Sequence, residues 1–210
     1  MAATRELKRR IKSIKNTKKI TRAMQMVSAA KMRKAQNAAL ASRTYSRLAD
    51  EIADTLLPFA QVRYNPLLRA NPKAKTVGVI VISSNRGLVG GFNSNLLKAV
   101  LEYEKGLPHE IISEFSVSGK KARESLYRLH KKVVADYPKQ DGPIDSEEIL
   151  PLASSVMREY IEGKYSSVVI VYMEFISTLN QKPKIMQLLP FKGVSTQVDP
   201  EEGDQMVERG

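Results

Sequence analysis

A run of 54 residues, Thr4 to Leu57, contains neither proline nor glycine. That leaves the segment little alternative to one continuous helix. Alanine, lysine, arginine, leucine and methionine dominate it, and all are low-cost helix formers. Thr4 is placed to serve as N-cap, Glu6 suits the positive end of the helix dipole, and Pro58 supplies a stop. At 1.5 Å per residue such a helix is roughly 80 Å long. The remaining residues cannot build a domain of that diameter, so much of the helix is expected to project.

Its apolar residues step by three and four. Leu7, Ile11 and Ile14 make one short stripe, Ile20, Met24 and Val27 a second, and Tyr45, Leu48, Ile52 and Leu56 a third. Such a narrow seam is the signature of a helix that pairs with another helix. Lys18 interrupts it, so the expected coiled coil is irregular. Between the stripes lie small residues, among them Ser28, Ala29, Ala35, Ala38 and Ala39, which allow close approach of a second helix. An amphipathic helix lying on its own core is the ordinary explanation of such a stripe, but the length of this one argues against it.

Charge singles out the same segment. The net charge is +12, and residues 1–47 hold fourteen Lys or Arg against the single acid Glu6. The other 163 residues balance twenty basic against twenty-one acidic side chains. A face that merely keeps a protein soluble mixes signs, so this excess points to a partner for the N-terminal segment alone.

The chain divides in sequence into a helix over 1–57, a connector over 58–75 punctuated by Pro58, Asn65-Pro66 and Asn71-Pro72, an α/β domain over 76–192, and a polar tail over 193–210. Within the domain, strands are predicted at Thr76–Ser83, Glu110–Val117, Lys132–Tyr137 and Ser167–Phe175, with Lys184–Leu189 as a hairpin partner. Helices are predicted from a cap at Asn93 or Ser94 through about Lys105, from Lys120 to about His130, and from Ser146 to about Glu162, ending at Gly163. The fold class is therefore α/β: a long N-terminal helix of coiled-coil type plus a Rossmann-like, mostly parallel sheet with an antiparallel addition at its end.

No catalytic constellation emerges. The loop Gly87–Phe92 (GLVGGF) follows a strand and precedes a helix, yet its GxxGG spacing matches neither the dinucleotide fingerprint nor the phosphate loop with its Lys-Ser/Thr ending. A turn needing positive φ explains it more simply. His109 and His130 lack metal-ligand spacing, Ser83 and Ser84 lack a base, and the chain has no cysteine. No apolar run is long enough to span a bilayer, so membrane association is expected only through partners. Catalytic, cofactor and metal sites are accordingly expected to be absent.

Three segments resemble the gamma subunit family of F-type ATP synthases: Ile11–Gln36 (IKSIKNTKKITRAMQMVSAAKMRKAQ), Ser83–Leu97 (SSNRGLVGGFNSNLL) and Glu174–Phe191 (EFISTLNQKPKIMQLLPF). The resemblance covers nearly all of residues 1–192. It implies the rotor of the central stalk, turning inside a ring of alpha and beta subunits, with the epsilon subunit and the membrane ring of c subunits as further partners. It implies neither direct nucleic-acid binding nor membrane insertion. The setting it implies is peripheral, on the cytoplasmic face of a bacterial membrane or its organellar equivalent. The contacts to the alpha/beta ring that it implies are Arg9, Arg10, Ile20, Met24, Val27 and Arg33 on the helix, and Arg86, Val89 and Gly90 in the loop. Asn85 stands where the family carries Asp, and Val89 where Cys or another small residue is common. The family continues into a second long helix where this chain ends in VSTQVDPEEGDQMVERG, from which either a truncated or proteolysed gamma subunit or a shortened relative is expected. From sequence physics alone, the competing readings are a nucleic-acid-binding protein with a basic helical arm, although no aromatic residue precedes Tyr45, and a Rossmann-type enzyme, which the loop spacing disfavours.

Overall fold

A computed structural model of the chain describes residues 2–138 and 146–193. The tail 194–210 lies outside the described residues, and so does the end of the chain to which the shortened-form expectation refers. The chain divides into two compact units, residues 1–49 and 50–210.

The first element, α1, spans Ala2–Leu56. It starts two residues earlier than Thr4, so Thr4 lies within the helix and does not cap it, and no acid sits in the first turn. The two alanines ahead of Thr4 have the highest helix propensity and extend the helix past the residue that would otherwise have ended it. At the other end Pro58 falls in the first turn of a short 3-10 segment, Leu57–Phe59, and the chain leaves it extended at Ala60. A second 3-10 segment, Pro66–Leu68, is capped by the Asn65 side chain, which accepts from the Leu67 N–H at 3.0 Å.

Five strands form one sheet: β1 Thr76–Ile82, β2 Ile112–Ser118, β3 Val133–Tyr137, β4 Ser167–Phe175 and β5 Gln181–Leu189. Their spatial order is β3-β2-β1-β4-β5, parallel throughout except for the β4–β5 hairpin. Helices α2 (Phe92–Gly106), α3 (Lys120–Arg128) and α4 (Ser146–Ile161) make the crossovers. Strands β1 and β4 read as near-continuous apolar runs, whereas β2, buried as fully as β1, intersperses Ser113, Glu114 and Ser116 with Phe115 and Val117.

Two cores result. One gathers Val77, Val79, Val81, Phe115, Val117, Val169 and Val171 with Leu96 and Val100 of α2 and Ala122 and Leu126 of α3. The other gathers Ile80, Val168 and Leu189 with Val156 and Tyr160 of α4, and with Tyr165. The connector is tied to the second core. Asn71 Nδ2 donates to the carbonyls of Tyr160 and Tyr165, and the Tyr160 hydroxyl donates to the Arg69 carbonyl at 2.7 Å.

Several boundaries differ from the sequence reading: β2 runs from Ile112 to Ser118 rather than from Glu110 to Val117, and three further shifts have a local cause. α2 begins at Phe92 with Gly91 at its N-cap and no side-chain cap; Asn93, assigned there as a cap, serves the preceding loop instead. α3 stops at Arg128 because His130 takes φ +53°, so that the Lys131 N–H closes back on the Leu126 carbonyl at 3.0 Å. β5 begins at Gln181, three residues before Lys184, and runs through Pro183. On an edge strand, proline can point its missing donor outward without breaking the ladder.

Candidate partner interface

The apolar seam of α1 is exposed. Leu7, Ile11, Ile14, Ile20, Met24 and Val27 keep between 46% and 68% of their surface accessible. Helix geometry resolves the seam into two registers. Ile20, Met24 and Val27 share heptad positions with Tyr45, Leu48 and Ile52, whereas Leu7, Ile11 and Ile14 are out of step by one residue, a rotation of about 100°. The irregularity at Lys18 is therefore a change of face.

The same geometry sorts the predicted contacts. Arg9, Ile20, Met24 and Val27 lie within roughly 60° of one another around the helix, Arg10 flanks them, and Arg33 lies on the side opposite Met24. Arg10 reaches the Glu6 carboxylate at 2.7 Å, one turn away, with both side chains exposed. Such a pair contributes little to stability. Lys8, Lys12, Lys15, Lys19 and Arg22 surround Ile11 in a shallow depression of the helix surface. This surface is cationic with an apolar seam, suited to contact rather than to chemistry.

The loop Ser83–Gly91, which carries Arg86, Val89 and Gly90, occupies the crevice at the carboxyl end of β1. In an open α/β sheet that crevice is where nucleotides bind. Here the polar side chains of the loop are paired with one another and with the start of α3. Ser83 Oγ, buried, accepts from the Ala122 N–H at 2.8 Å and donates to the Gly119 carbonyl at 3.1 Å. Ser84 Oγ donates to the Arg86 carbonyl at 2.7 Å and accepts from Asn93 Nδ2 at 2.8 Å, while Asn93 Oδ1 accepts from the Ser84 N–H at 3.3 Å. Asn85 Oδ1 accepts from the Lys120 N–H at 3.3 Å, at the start of α3. That role needs only an acceptor, so Asn in place of Asp is chemically mild. Gly119 holds φ +110°, and a Cβ there would come within 2.3 Å of the Ser83 carbonyl oxygen.

The loop tip turns outward. Leu88 adopts φ +60° and Gly90 φ +58°, and Leu88 and Val89 are exposed. Leu88 escaped the sequence reading. Its only signal there was an apolar residue between Gly87 and Gly90, in a segment already read as a turn.

The densest group of charges lies elsewhere, between β2 and the end of α4. Glu114, 6% exposed, meets Lys132 at 2.6 Å and Lys164 at 2.9 Å. Glu159 meets Lys164 at 2.8 Å and accepts from the Tyr165 hydroxyl at 2.6 Å. Burial alone would raise the Glu114 carboxyl, but the hydrogen bonds and charges of Lys132 and Lys164 outweigh it and hold it below the ordinary glutamate value. Glu159 is lowered likewise, against its own burial, chiefly by Lys164 and Tyr165. Burial also works against Lys164, yet its two carboxylate partners hold it protonated, while burial and then Glu159 raise Tyr165. Every group in this cluster has a charge or hydrogen-bond partner inside it, so it acts as a clasp between sheet and helix.

Among the described residues no helix is long and apolar enough to cross a membrane, and no group of three or more His, Asp or Glu side chains is gathered as a metal site.

Comparison with known proteins follows the same lines. The sequence-family profile described as ATP synthase matches residues 3–209. The ATP synthase gamma chain of Leptospira biflexa is 38% identical over 193 residues, 91% of this chain and 67% of the relative. That of Delftia acidovorans is 38% identical over 204 residues, covering 97% and 70%, and that of Heliobacterium modesticaldum 40% identical over 190 residues, covering 90% and 64%. The chain thus spans about two thirds of the length of these relatives. Among solved structures, the central stalk and c-ring of the Tetrahymena thermophila mitochondrial ATP synthase contains a chain of similar fold, at TM-score 0.53 and 22% identity, with 81% of this chain and 72% of that one covered. The nucleic-acid reading of the basic arm gains no support from any of these relatives. On the match of nearly its whole length to the profile and of more than nine tenths to relatives of one name, the chain belongs to the ATP synthase gamma-chain family.

Proposed function

We propose that this chain works as the rotor of the central stalk in a proton-translocating ATP synthase, coupling rotation to ATP synthesis in a ring of alpha and beta subunits. The observation that carries the reading is the conjunction of family membership with an α1 surface that is both apolar along one seam and strongly cationic around it. Arg9, Arg10, Ile20, Met24, Val27 and Arg33 are the proposed ring contacts on the helix, and Arg86, Val89 and Gly90 those in the loop. The epsilon subunit and the ring of c subunits are the proposed partners of the α/β domain. The assembly is then held at a membrane face by its partners.

In this reading the chain contributes shape and charge, and the bond-making steps belong to the ring subunits. A rotor must pass several equivalent positions without stopping at any one. Long-range attraction between a basic helix and acidic loops favours insertion while fixing no single geometry. A set of short, buried ion pairs would instead resist turning, because each must be broken at the cost of unpaired buried charge.

The test is assembly of this chain with the alpha and beta subunits. A complex of one copy with three alpha–beta pairs, read by native mass spectrometry, is the expected result. Replacing Lys8, Arg9, Arg10 and Lys12 by Gln should slow association by about tenfold at low salt and flatten its salt dependence. Absence of the complex, or an on-rate whose salt dependence is the same in the variant, would overturn the proposal.

A further inference from the structure

The chain has eight methionines and no cysteine, so the sulfur open to oxidation is thioether sulfur alone. Three of the eight, Met24, Met26 and Met32, fall close together on α1 and keep 65%, 62% and 52% of their surface exposed. In the α/β domain Met157 is 38% exposed, and Met173 and Met186 are partly buried in the sheet. Susceptibility follows exposure, so the α1 methionines react first. They do not share a face. Met24 lies in the seam, about 40° from Ile20 and about 60° from Val27, whereas Met26 is about 160° from it around the helix and Met32 about 80°. Packing gives no reason for sulfur at position 24. The seam carries Leu, Ile and Val at its other positions from Leu7 to Val27, and leucine matches methionine closely in volume.

We infer that Met24 is a reversible oxidation site, through which a peroxide blocks association of the free chain with its partner ring. The thioether sulfur attacks one peroxide oxygen, the O–O bond breaks and an S=O bond forms. The proton of the transferred oxygen passes to the leaving oxygen, so sulfur is oxidised while hydrogen peroxide is reduced to water. The product is a polar sulfoxide in the middle of an apolar stripe. Burying it against a partner without a hydrogen bond costs free energy that burying the thioether does not. A sulfoxide at Met26 stands on the far side of the helix and does not enter that contact. The effect on association rests on the reading of Met24 as a ring contact; the order in which the methionines react does not. Assembly covers Met24 in that reading, so the free chain is the sensitive species. Methionine sulfoxide reductases, one for each sulfoxide epimer, reverse the change.

The test treats the full chain with hydrogen peroxide, maps the oxidised residues by peptide mass spectrometry and then mixes the chain with alpha and beta subunits. Met24 should be oxidised severalfold faster than Met157, Met173 and Met186. The treated chain should associate about tenfold more weakly, and the two reductases together should restore association. Variants separate Met24 from its neighbours, each compared with its own untreated form. A chain with both Met26→Leu and Met32→Leu should keep the loss on treatment, and Met24→Leu should abolish it. Undiminished association of the oxidised chain would overturn the inference, as would a loss in Met24→Leu as large as in the unsubstituted chain. Oxidation of Met24 no faster than that of Met173 would overturn it as well. Failure of the untreated, unsubstituted chain to associate at all would instead overturn the ring-contact reading, and this inference with it.

Discussion

The helix α1 and the α/β domain solve the problem of apolar side chains in opposite ways. The domain packs a core of them inside: Val100, Val117, Leu126 and Val171 are all at 0% exposure. In α1, side chains of the same kind, Ile20, Met24 and Val27, lie open at 58–65%. The first region draws its stability from its own contacts. The second has regular backbone hydrogen bonds but nothing covering its seam, and most helical stability in proteins comes from such cover. Where a chain leaves a patterned seam uncovered, the seam describes a partner.

The sharpest contrast is between two truncations. Leu126→Ala should cost about 4 kcal/mol in urea unfolding, through lost transfer free energy and the cavity left behind. Tyrosine fluorescence is the probe, since the chain has eight Tyr and no Trp. A loss below about 1 kcal/mol would mean that the packed unit is looser than its burial indicates.

Next in size is Gly119→Ala. The substitution forces an alanine to φ +110° and drives its Cβ into the Ser83 carbonyl. About 3 kcal/mol should be lost, with Ser83→Ala costing less because it removes only the hydroxyl contacts. If Gly119→Ala is neutral by thermal denaturation, the β1–α3 junction is not the rigid support of the loop described above.

Glu114→Ala should cost roughly 1–2 kcal/mol, because it removes the buried carboxylate shared by Lys164 and Lys132, while both lysines stay partly solvated and Lys164 keeps Glu159. Its pH signature is separate from its size. Glu114 and Glu159 are depressed in the folded state, so their contribution is fully present above the ordinary glutamate value, about 4.3, and is lost as pH falls through their folded values. Lys164 is raised, so its contribution is fully present below the ordinary lysine value, about 10.4, and is lost as pH climbs through its folded value. Glu114→Ala should therefore flatten the acid limb of a stability–pH curve. An unchanged limb would count against the clasp.

The smallest effect is the most telling for the comparison. Ile20→Ala in the isolated chain should change stability by less than about 0.5 kcal/mol, as for an exposed position. Backbone amides of residues 5–27 should exchange faster than those of β1. A cost near that of Leu126→Ala, or equal protection, would show that the seam is covered within the chain or by a second copy.

Much of the fold was legible because its signals are local. Ser167–Phe175 is a strand in the structure with the same ends as in the sequence reading, since nine residues rich in Val, Ile and aromatics are bounded by turns on both sides. Gly163 closes α4 at φ +82°, as a glycine after a helical run should. Less legible were the places where a residue serves a neighbour distant in sequence. Asn93 reads locally as a helix cap, but Ser84 competes for its side chain. His130 gives no sign that it will end α3 in a left-handed turn. Pro183 reads as a strand breaker until β4 shows that β5 is an edge.

The candidate interface divides the same way. The basic excess, the three-and-four spacing and the family motifs of α1 are one-dimensional properties, fixed once the residues are in order. Whether a seam is buried, which of its residues share a face, and whether a glycine-rich loop is open or closed all depend on what stands opposite in space. Sequence by itself determined the long helix, the order of strands and helices, the concentration of positive charge and the kinship with the gamma chains. Only the tertiary structure decided that Ser83 bonds to the start of α3 and Ser84 to Asn93, that Glu114 is buried between two lysines, and that Leu88 and Leu179 are turned outward. The physical reason is that burial and hydrogen-bond pairing are relations between segments, and the energy of a side chain is set by those relations more than by its neighbours along the chain.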